Sequence, residues 1–284
     1  MKLLVTGGSG YLGAAILKRA PIDWQIAATY NTHSIAKQNV AAFRVDAREA
    51  EKVNRVVTEF RPDLVIHTAA LMTGDAMLAV NADGSRNIAR AAKQNSARLI
   101  HLSSDVIFDG EHAPYDESAE PQPLIPYAES KAQAERAVRE EHADALIVRT
   151  SLIYGFDPMD PRTRQVLNGE MPRLFTDEYR CPIFVDDLAD ALLELASQKP
   201  GFFEKPGFST LNIAGTQRLS RYDFGVKLAN VFHVEPKFAP ALSASHPTRR
   251  PRDCALDIAC AQKILRTRLR SLDQVLATIQ LSNE

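Results

Sequence analysis

Along the first half of the chain, apolar residues follow two alternating rhythms. Short apolar runs at Leu3–Thr6, Trp24–Tyr30, Val40–Val45, Asp63–Thr68, Ala97–Ser103 and Ala145–Thr150 predict strands buried on both faces. Between them, residues such as Leu12, Ala15, Ile16 and Arg19 recur at helical spacing, which predicts helices over Tyr11–Ala20, Glu49–Phe60, a segment ending at Lys93, and Glu129–His142. Strand, helix, strand repeated in this order predicts an α/β fold: a Rossmann-type doubly wound parallel sheet with a smaller C-terminal substrate lobe. After Gly155 the alternation lapses into shorter pieces, Ile183–Val185, Asp187–Ser197, Leu211–Ala214 and Tyr222–Phe232, with Pro236–Pro251 read as loop. The boundary is set at residues 1–151 for a dinucleotide-binding domain and 152–284 for the lobe, with the chain free to cross back between them.

The first strand runs into Thr6-Gly7-Gly8-Ser9-Gly10-Tyr11-Leu12-Gly13. Glycines three apart between a strand and a helix suit a tight turn that brings backbone N–H groups and a helix N-terminus against a pyrophosphate, where a side chain would obstruct the approach. Gly7, Gly10, Tyr11, Leu12 and Gly13 are therefore the first candidates for cofactor contact. Asp46, at the end of the third strand, and the small residues Thr68, Ala69 and Ala70 after the fourth extend the set along the sheet's carboxyl edge. An acid at the end of the second strand would bind the ribose of NAD; Thr29 to Ser34 contains none, and this favours NADP, with NAD as the alternative. Asn81, Gly84 and Asn87 stand three apart on the helix that follows, and so on one face.

Composition narrows the partners. Lysine plus arginine number 34 against 35 aspartate plus glutamate, so no bulk basic field argues for nucleic acid or an anionic membrane surface. No apolar run reaches spanning length, and the apolar start is interrupted by the glycine turn, so the expected location is cytoplasmic. Cys181, Cys254 and Cys260, without a Cys-x-x-Cys pair, read as reduced packing thiols; no metal site is expected.

The candidate chemistry lies where the fifth strand ends. Ser104 stands at that end, and Tyr127 and Lys131, four apart, project from one face of the next helix. Carbonyl reduction needs a proton donor, a cation that lowers its pKa, and a second group on the oxygen. Free tyrosine titrates near about 10, and each unit of lowering corresponds to about 1.4 kcal/mol of preference for the phenolate.

At these residues the sequence resembles the extended short-chain dehydrogenase/reductases, and within them the dTDP-4-dehydrorhamnose reductase group. The resemblance runs through Ser103-Ser104-Asp105-Val106-Ile107-Phe108-Asp109-Gly110, Pro114-Tyr115, Tyr127 to Lys131, Arg149 to Gly155, Asn212 to Gly215, Ser220 to Phe224, Arg250-Pro251 and Leu256-Asp257. It implies that Ser104 and Tyr127 hold a ketone oxygen, that Tyr127 gives the proton, and that Lys131 tunes it and binds the cofactor. It further implies that Asp105 contacts a sugar. Arg249, Arg250 and Arg252 are candidates for a diphosphate, Arg250 foremost. The implied partner is a small molecule, a nucleotide-linked sugar; a homo-oligomer is compatible with the resemblance. Leu152 stands where the group commonly has tryptophan, the Ala70–Asn81 segment is shorter, and the tryptophan-bearing C-terminal helix is missing, so the particular sugar stays open. Val106 after Asp105 removes the second acid a dehydratase needs; an epimerase and a non-catalytic dinucleotide-binding regulatory subunit stay as alternatives.

Overall fold

The structure, a computed structural model, describes residues 1–35, 37–199, 201–202 and 209–282. In chain order the elements of the first half are β1 (Lys2–Thr6), α1 (Tyr11–Arg19), β2 (Gln25–Tyr30), β3 (Val40–Arg44), α2 (Ala50–Phe60), β4 (Leu64–His67), α3 (Gly84–Gln94), β5 (Arg98–Ser104), α4 (Pro126–Glu141) and β6 (Leu146–Thr150). There follow β7 (Ile153–Tyr154), α5 (Pro161–Asn168), β8 (Arg173–Phe175), β9 (Tyr179–Arg180), β10 (Ile183–Phe184), α6 (Val185–Ala196), β11 (Thr210–Ile213), β12 (Leu219–Ser220), α7 (Arg221–Val231), β13 (Ala239–Ala241), α8 (Ala259–Ile264) and α9 (Leu272–Ser282). The chain forms two compact units, one of Met1–Ser104, Pro126–Arg149 and Ala189–Leu211, the other of Asp105–Ile125, Thr150–Leu188 and Asn212–Glu284.

The first unit is built on a seven-stranded sheet of order β11-β6-β5-β4-β1-β2-β3. The pairs β1–β2, β1–β4, β2–β3 and β4–β5 are parallel. This is the Rossmann-type α/β fold anticipated from the apolar runs. Leu3, Leu4, Val5, Leu64, Val65, Ile66, Leu99 and Ile100 are all 0% exposed, because helices cover both faces of the strands that carry them. Burial of side chains this size contributes about 1.5–3 kcal/mol each, and the centre of the sheet is correspondingly rigid. β1 pairs with β2 on one side and β4 on the other, so the connections after them leave in opposite directions. At such a switch point the carboxyl ends open into a crevice.

The helical stretch after β4 is not one regular helix. Ala79–Asp83 is a π-helical turn before α3 begins at Gly84. Gly84 and Asn87 share a face, both meeting Ala47, but Asn81 is turned to Leu71 and Ser130. The wider turn, which simple three-residue spacing does not anticipate, re-aims it.

In the second unit, Tyr154, Leu219, Phe224, Leu228, Leu272, Val275 and Leu276 form one buried cluster. Several elements here lie outside the apolar pattern, among them β8, β9, β12, α8 and α9, and two show why. Helix α5 is set by its ends: Asp160 accepts from the Arg162 and Thr163 amides, Pro161 opens the helix, and Gly169 closes it at φ 79. The stretch read as loop, Pro236–Pro251, contains β13, which pairs in parallel with β8. A three-residue strand whose partner lies more than sixty positions away has no local alternation to reveal it.

Candidate active site

The glycine turn lies at the carboxyl end of β1. Gly7 adopts φ +71, where a Cβ would stand 2.8 Å from the backbone nitrogen and Cα of Ala69, so the turn lies directly on the backbone that follows β4. A Cβ at Gly13 would run into the Gly7 carbonyl, which makes Gly13 the residue that lets α1 start so close to the turn. Gly10 is the N-cap of α1 and offers no side-chain acceptor to the helix amides, an arrangement suited to an anion.

A cavity of about 260 Å³ opens over this turn. Its wall is drawn from the carboxyl ends of four strands: Thr6, Gly7, Ser9 and Gly10 after β1, Tyr30 to His33 after β2, Asp46 and Ala47 after β3, and Thr68 to Leu71 after β4. Of the predicted cofactor residues, Gly7, Gly10, Asp46, Thr68, Ala69 and Ala70 line it. Leu12 and Gly13 are buried in the helix behind. The Asp46 carboxylate is hydrogen-bonded by the Arg48 guanidinium and amide and by Asn31, and these hold it below the usual carboxylate range. A glycine cradle backed by an uncapped helix and a neutral, small-residue wall fits a dinucleotide pyrophosphate.

Ser104 closes β5, and Tyr127 and Lys131 occupy successive turns of α4. Lys131 is 4% exposed, and its ammonium donates to the Leu102 carbonyl at 2.5 Å, two residues before Ser104. Burial lowers its pKa to about 8, with Glu135 pulling the other way. Glu135, one turn further along α4, is clamped by Arg149 of β6 at 3.1 and 2.9 Å, with both side chains buried. At the start of the helix, Ser130 donates to the Tyr127 carbonyl and accepts from Asn81, whose amide also brackets the backbone of Leu71. Leu71 lines the cavity, so a hydrogen-bonded chain links its wall to the turn that bears Tyr127. Beneath the site, His67 Nδ1 lies 2.6 Å from the Thr6 hydroxyl and Nε2 2.9 Å from that of Ser85, and burial drives its pKa down to about 3, keeping it neutral.

The second unit holds a different kind of pocket, about 400 Å³, lined by Arg162, Arg173, Arg221 and Arg250, by Glu178, and by Phe175 and His246. Glu178 is 1% exposed and paired with Arg250, with Arg221 4.0 Å away. Burial lowers the pKa of both Arg162 and Arg221, and neighbouring guanidiniums lower them further. Four guanidiniums against two carboxylates, the buried Glu178 and the exposed Glu170, leave an excess of positive charge, which an anion would relieve. Of the predicted arginine cluster, Arg250 alone lines this pocket, whereas Arg249 and Arg252 pair with Glu111. Arg162, Arg173, Glu178 and Arg221 are not among the sequence candidates, since they are scattered over some sixty positions and no local spacing joins them. Asp105 is 2% exposed, accepts from the Ser151 hydroxyl at 2.6 Å and lies 3.8 Å from Arg180. All three cysteines are free, and among the described residues no His/Cys/Asp/Glu cluster could hold a metal and no helix is long and apolar enough to cross a membrane.

The strand order, the glycine turn and the Tyr127–Lys131 helix define the class, a Rossmann-type α/β protein of the extended short-chain dehydrogenase/reductase kind. The family model of the RmlD substrate binding domain matches residues 1–281, and the chain belongs to that family. It is 26% identical to methionine adenosyltransferase 2 subunit beta of Pongo abelii over 278 residues, 89% of this chain and 80% of the relative. Among solved structures it is similar to a hypothetical dTDP-4-dehydrorhamnose reductase from Sulfolobus tokodaii (TM-score 0.81, 28% identity, 97% of this chain and 99% of that one). It shares its fold with dTDP-4-dehydrorhamnose reductase from Bacillus anthracis in complex with NADP (TM-score 0.80, 22% identity, 99% of each chain).

Proposed function

We propose that this protein reduces a keto group on a nucleotide-linked sugar with NADPH, NADH serving as the alternative donor, in the manner of a dTDP-4-dehydrorhamnose reductase. The observation that carries the reading is the buried Lys131 ammonium on the Leu102 carbonyl, two residues before Ser104 and one turn after Tyr127. The family, the Sulfolobus tokodaii likeness and the NADP in the Bacillus anthracis structure support it.

The dinucleotide, when bound, supplies the reducing equivalent, and Gly7, Gly10, Tyr11, Leu12, Gly13, Asp46, Thr68, Ala69 and Ala70, with Tyr127 and Lys131, are the residues assigned to hold it. Ser104 and Tyr127 hydrogen-bond the ketone oxygen. As negative charge grows on that oxygen, the Tyr127 hydroxyl gives up its proton, and the Lys131 cation favours the phenolate left behind. Solvent restores the tyrosine proton. Asp105 and Arg250 are assigned to the substrate, Arg250 and its neighbouring guanidiniums to a diphosphate.

The likeness to the methionine adenosyltransferase β subunit gives a second reading, a dinucleotide-binding regulatory subunit. Purified protein offered NADPH and a panel of dTDP-, UDP- and GDP-linked 4-keto sugars separates the two. Oxidation of NADPH with one of them is the expected result; NADPH binding without reduction of any favours the regulatory reading.

A further inference from the structure

Where β2 ends, the cavity over the glycine turn is walled by Tyr30, Asn31, Thr32 and His33, with no carboxylate among them. The nearest acid in the wall, Asp46, is already bound by Arg48 through both guanidinium and amide. That pairing offsets the carboxylate's repulsion of an incoming anion. Three cations stand on the flanking segments, Arg48 among them. Arg48 is committed to Asp46 and Lys37 to the Leu17 carbonyl. Arg44 differs: it is exposed, and among the described residues it has no acidic partner. Its Nε donates to the Asn31 carbonyl at 3.2 Å, which docks the guanidinium at the cavity's β2 end by one edge. The terminal nitrogens are the part of an arginine fork that grips phosphate. Beside it the Thr32 hydroxyl lies 3.0 Å from His33 Nδ1; with Thr32 as donor, the ring proton sits on Nε2, a second donor at the same rim.

Taking as given that this cavity holds a nicotinamide dinucleotide, we propose that Arg44, assisted by Thr32 and His33, receives the 2′-phosphate of NADPH and sets the preference for it over NADH. A phosphate there is met by a guanidinium already anchored to backbone, so little side-chain freedom is lost on binding. NADH carries a hydroxyl at that position and gains nothing from the arginine.

Binding measurements test this without any sugar substrate. Dissociation constants for NADPH, NADH and 2′,5′-ADP are determined by calorimetry for the wild type, Arg44→Ala, Arg44→Lys and His33→Ala. We expect wild type to bind NADPH more tightly than NADH. Arg44→Ala should weaken NADPH and 2′,5′-ADP by about tenfold or more while NADH changes less than about twofold. Arg44→Lys should recover part of the loss, His33→Ala should cost only a few-fold, and retained NADH affinity in each variant reports an intact fold. Equal weakening of NADPH and NADH by Arg44→Ala, or no change in their ratio, overturns the subsite while leaving the dinucleotide reading in place. Failure of wild type to bind either nucleotide overturns both.

Discussion

The two cavities are made from opposite materials. The one over the glycine turn is built of backbone and small side chains, its one acid neutralised by Arg48, and its shape is set by what is missing at Gly7 and Gly10. The one in the second unit is built of long charged side chains, four arginines around one buried glutamate, and its character is set by charge that its own residues do not balance. A backbone cradle tolerates no added bulk and is indifferent to distant charge; a guanidinium cluster tolerates changes of shape but not of charge balance. Each should therefore fail in its own way.

The sharpest break is Gly10→Val. Gly10 has φ −75, open to any residue, and a Cβ there would stand 3.1 Å from the Gly7 carbonyl, so the protein should fold with a small shift of the turn while the side chain fills the cradle. Dinucleotide affinity should fall by about 10²-fold or beyond detection, with ligand binding in the arginine pocket unaffected. Glu178→Gln does the reverse: it removes the one buried acid among the pocket's arginines, and loss of a buried pair costs about 3–5 kcal/mol. Thermal unfolding should show that loss, and added pyrophosphate should recover more stability in the variant than in the wild type. If pyrophosphate stabilises neither protein, the arginine pocket is not an anion site. Arg250→Ala should weaken nucleoside diphosphate binding by about tenfold and leave NADPH affinity unchanged.

Lys131 gives a pH signature confined to the first unit. With its pKa drawn down to about 8, the ammonium is lost as pH rises through that value. The free-enzyme profile of kcat/KM should then fall about tenfold per unit above it. Stability runs the other way: the folded pKa lies below the ordinary 10.5, so the cost of burying the cation is present in full below about 8 and is relieved as pH rises towards 10.5. Lys131→Met should abolish both trends. The smallest effect belongs to Ser130→Ala, which cuts the link between Asn81 and the Tyr127 carbonyl; a loss of about 1 kcal/mol, seen as a few-fold drop in kcat with KM for the sugar little changed, is expected.

The same contrast decides how much of the molecule a sequence reveals. The sheet and the glycine turn are local: apolar runs, and glycines three apart between a strand and a helix, are each legible within a dozen residues, whereas the tyrosine one turn before a lysine gains its meaning from its place after Ser104. The arginine pocket is assembled from α5, β8, the start of α7 and the segment after β13, so of its arginines Arg250 alone is a sequence candidate for an anion. Pairing also hid what isolated residues suggested. Arg249 and Arg252, candidates beside Arg250 in the sequence, are paired with Glu111, and the π-helical turn at Ala79–Asp83 moves Asn81 off the face that its spacing assigns to it. Helix α5 carries its signal at its ends, in Asp160-Pro161 and Gly169, rather than in an apolar pattern.

The central claim is that Tyr127 delivers the proton in reduction of a nucleotide-linked keto sugar. Single-turnover oxidation of bound NADPH, followed by nicotinamide absorbance with a reducible keto-sugar nucleotide, compares wild type with Tyr127→Phe, which lacks only the acidic hydroxyl. The account predicts a rate lower by about 10²-fold or more with NADPH affinity nearly intact. A decrease of less than a few-fold would contradict it.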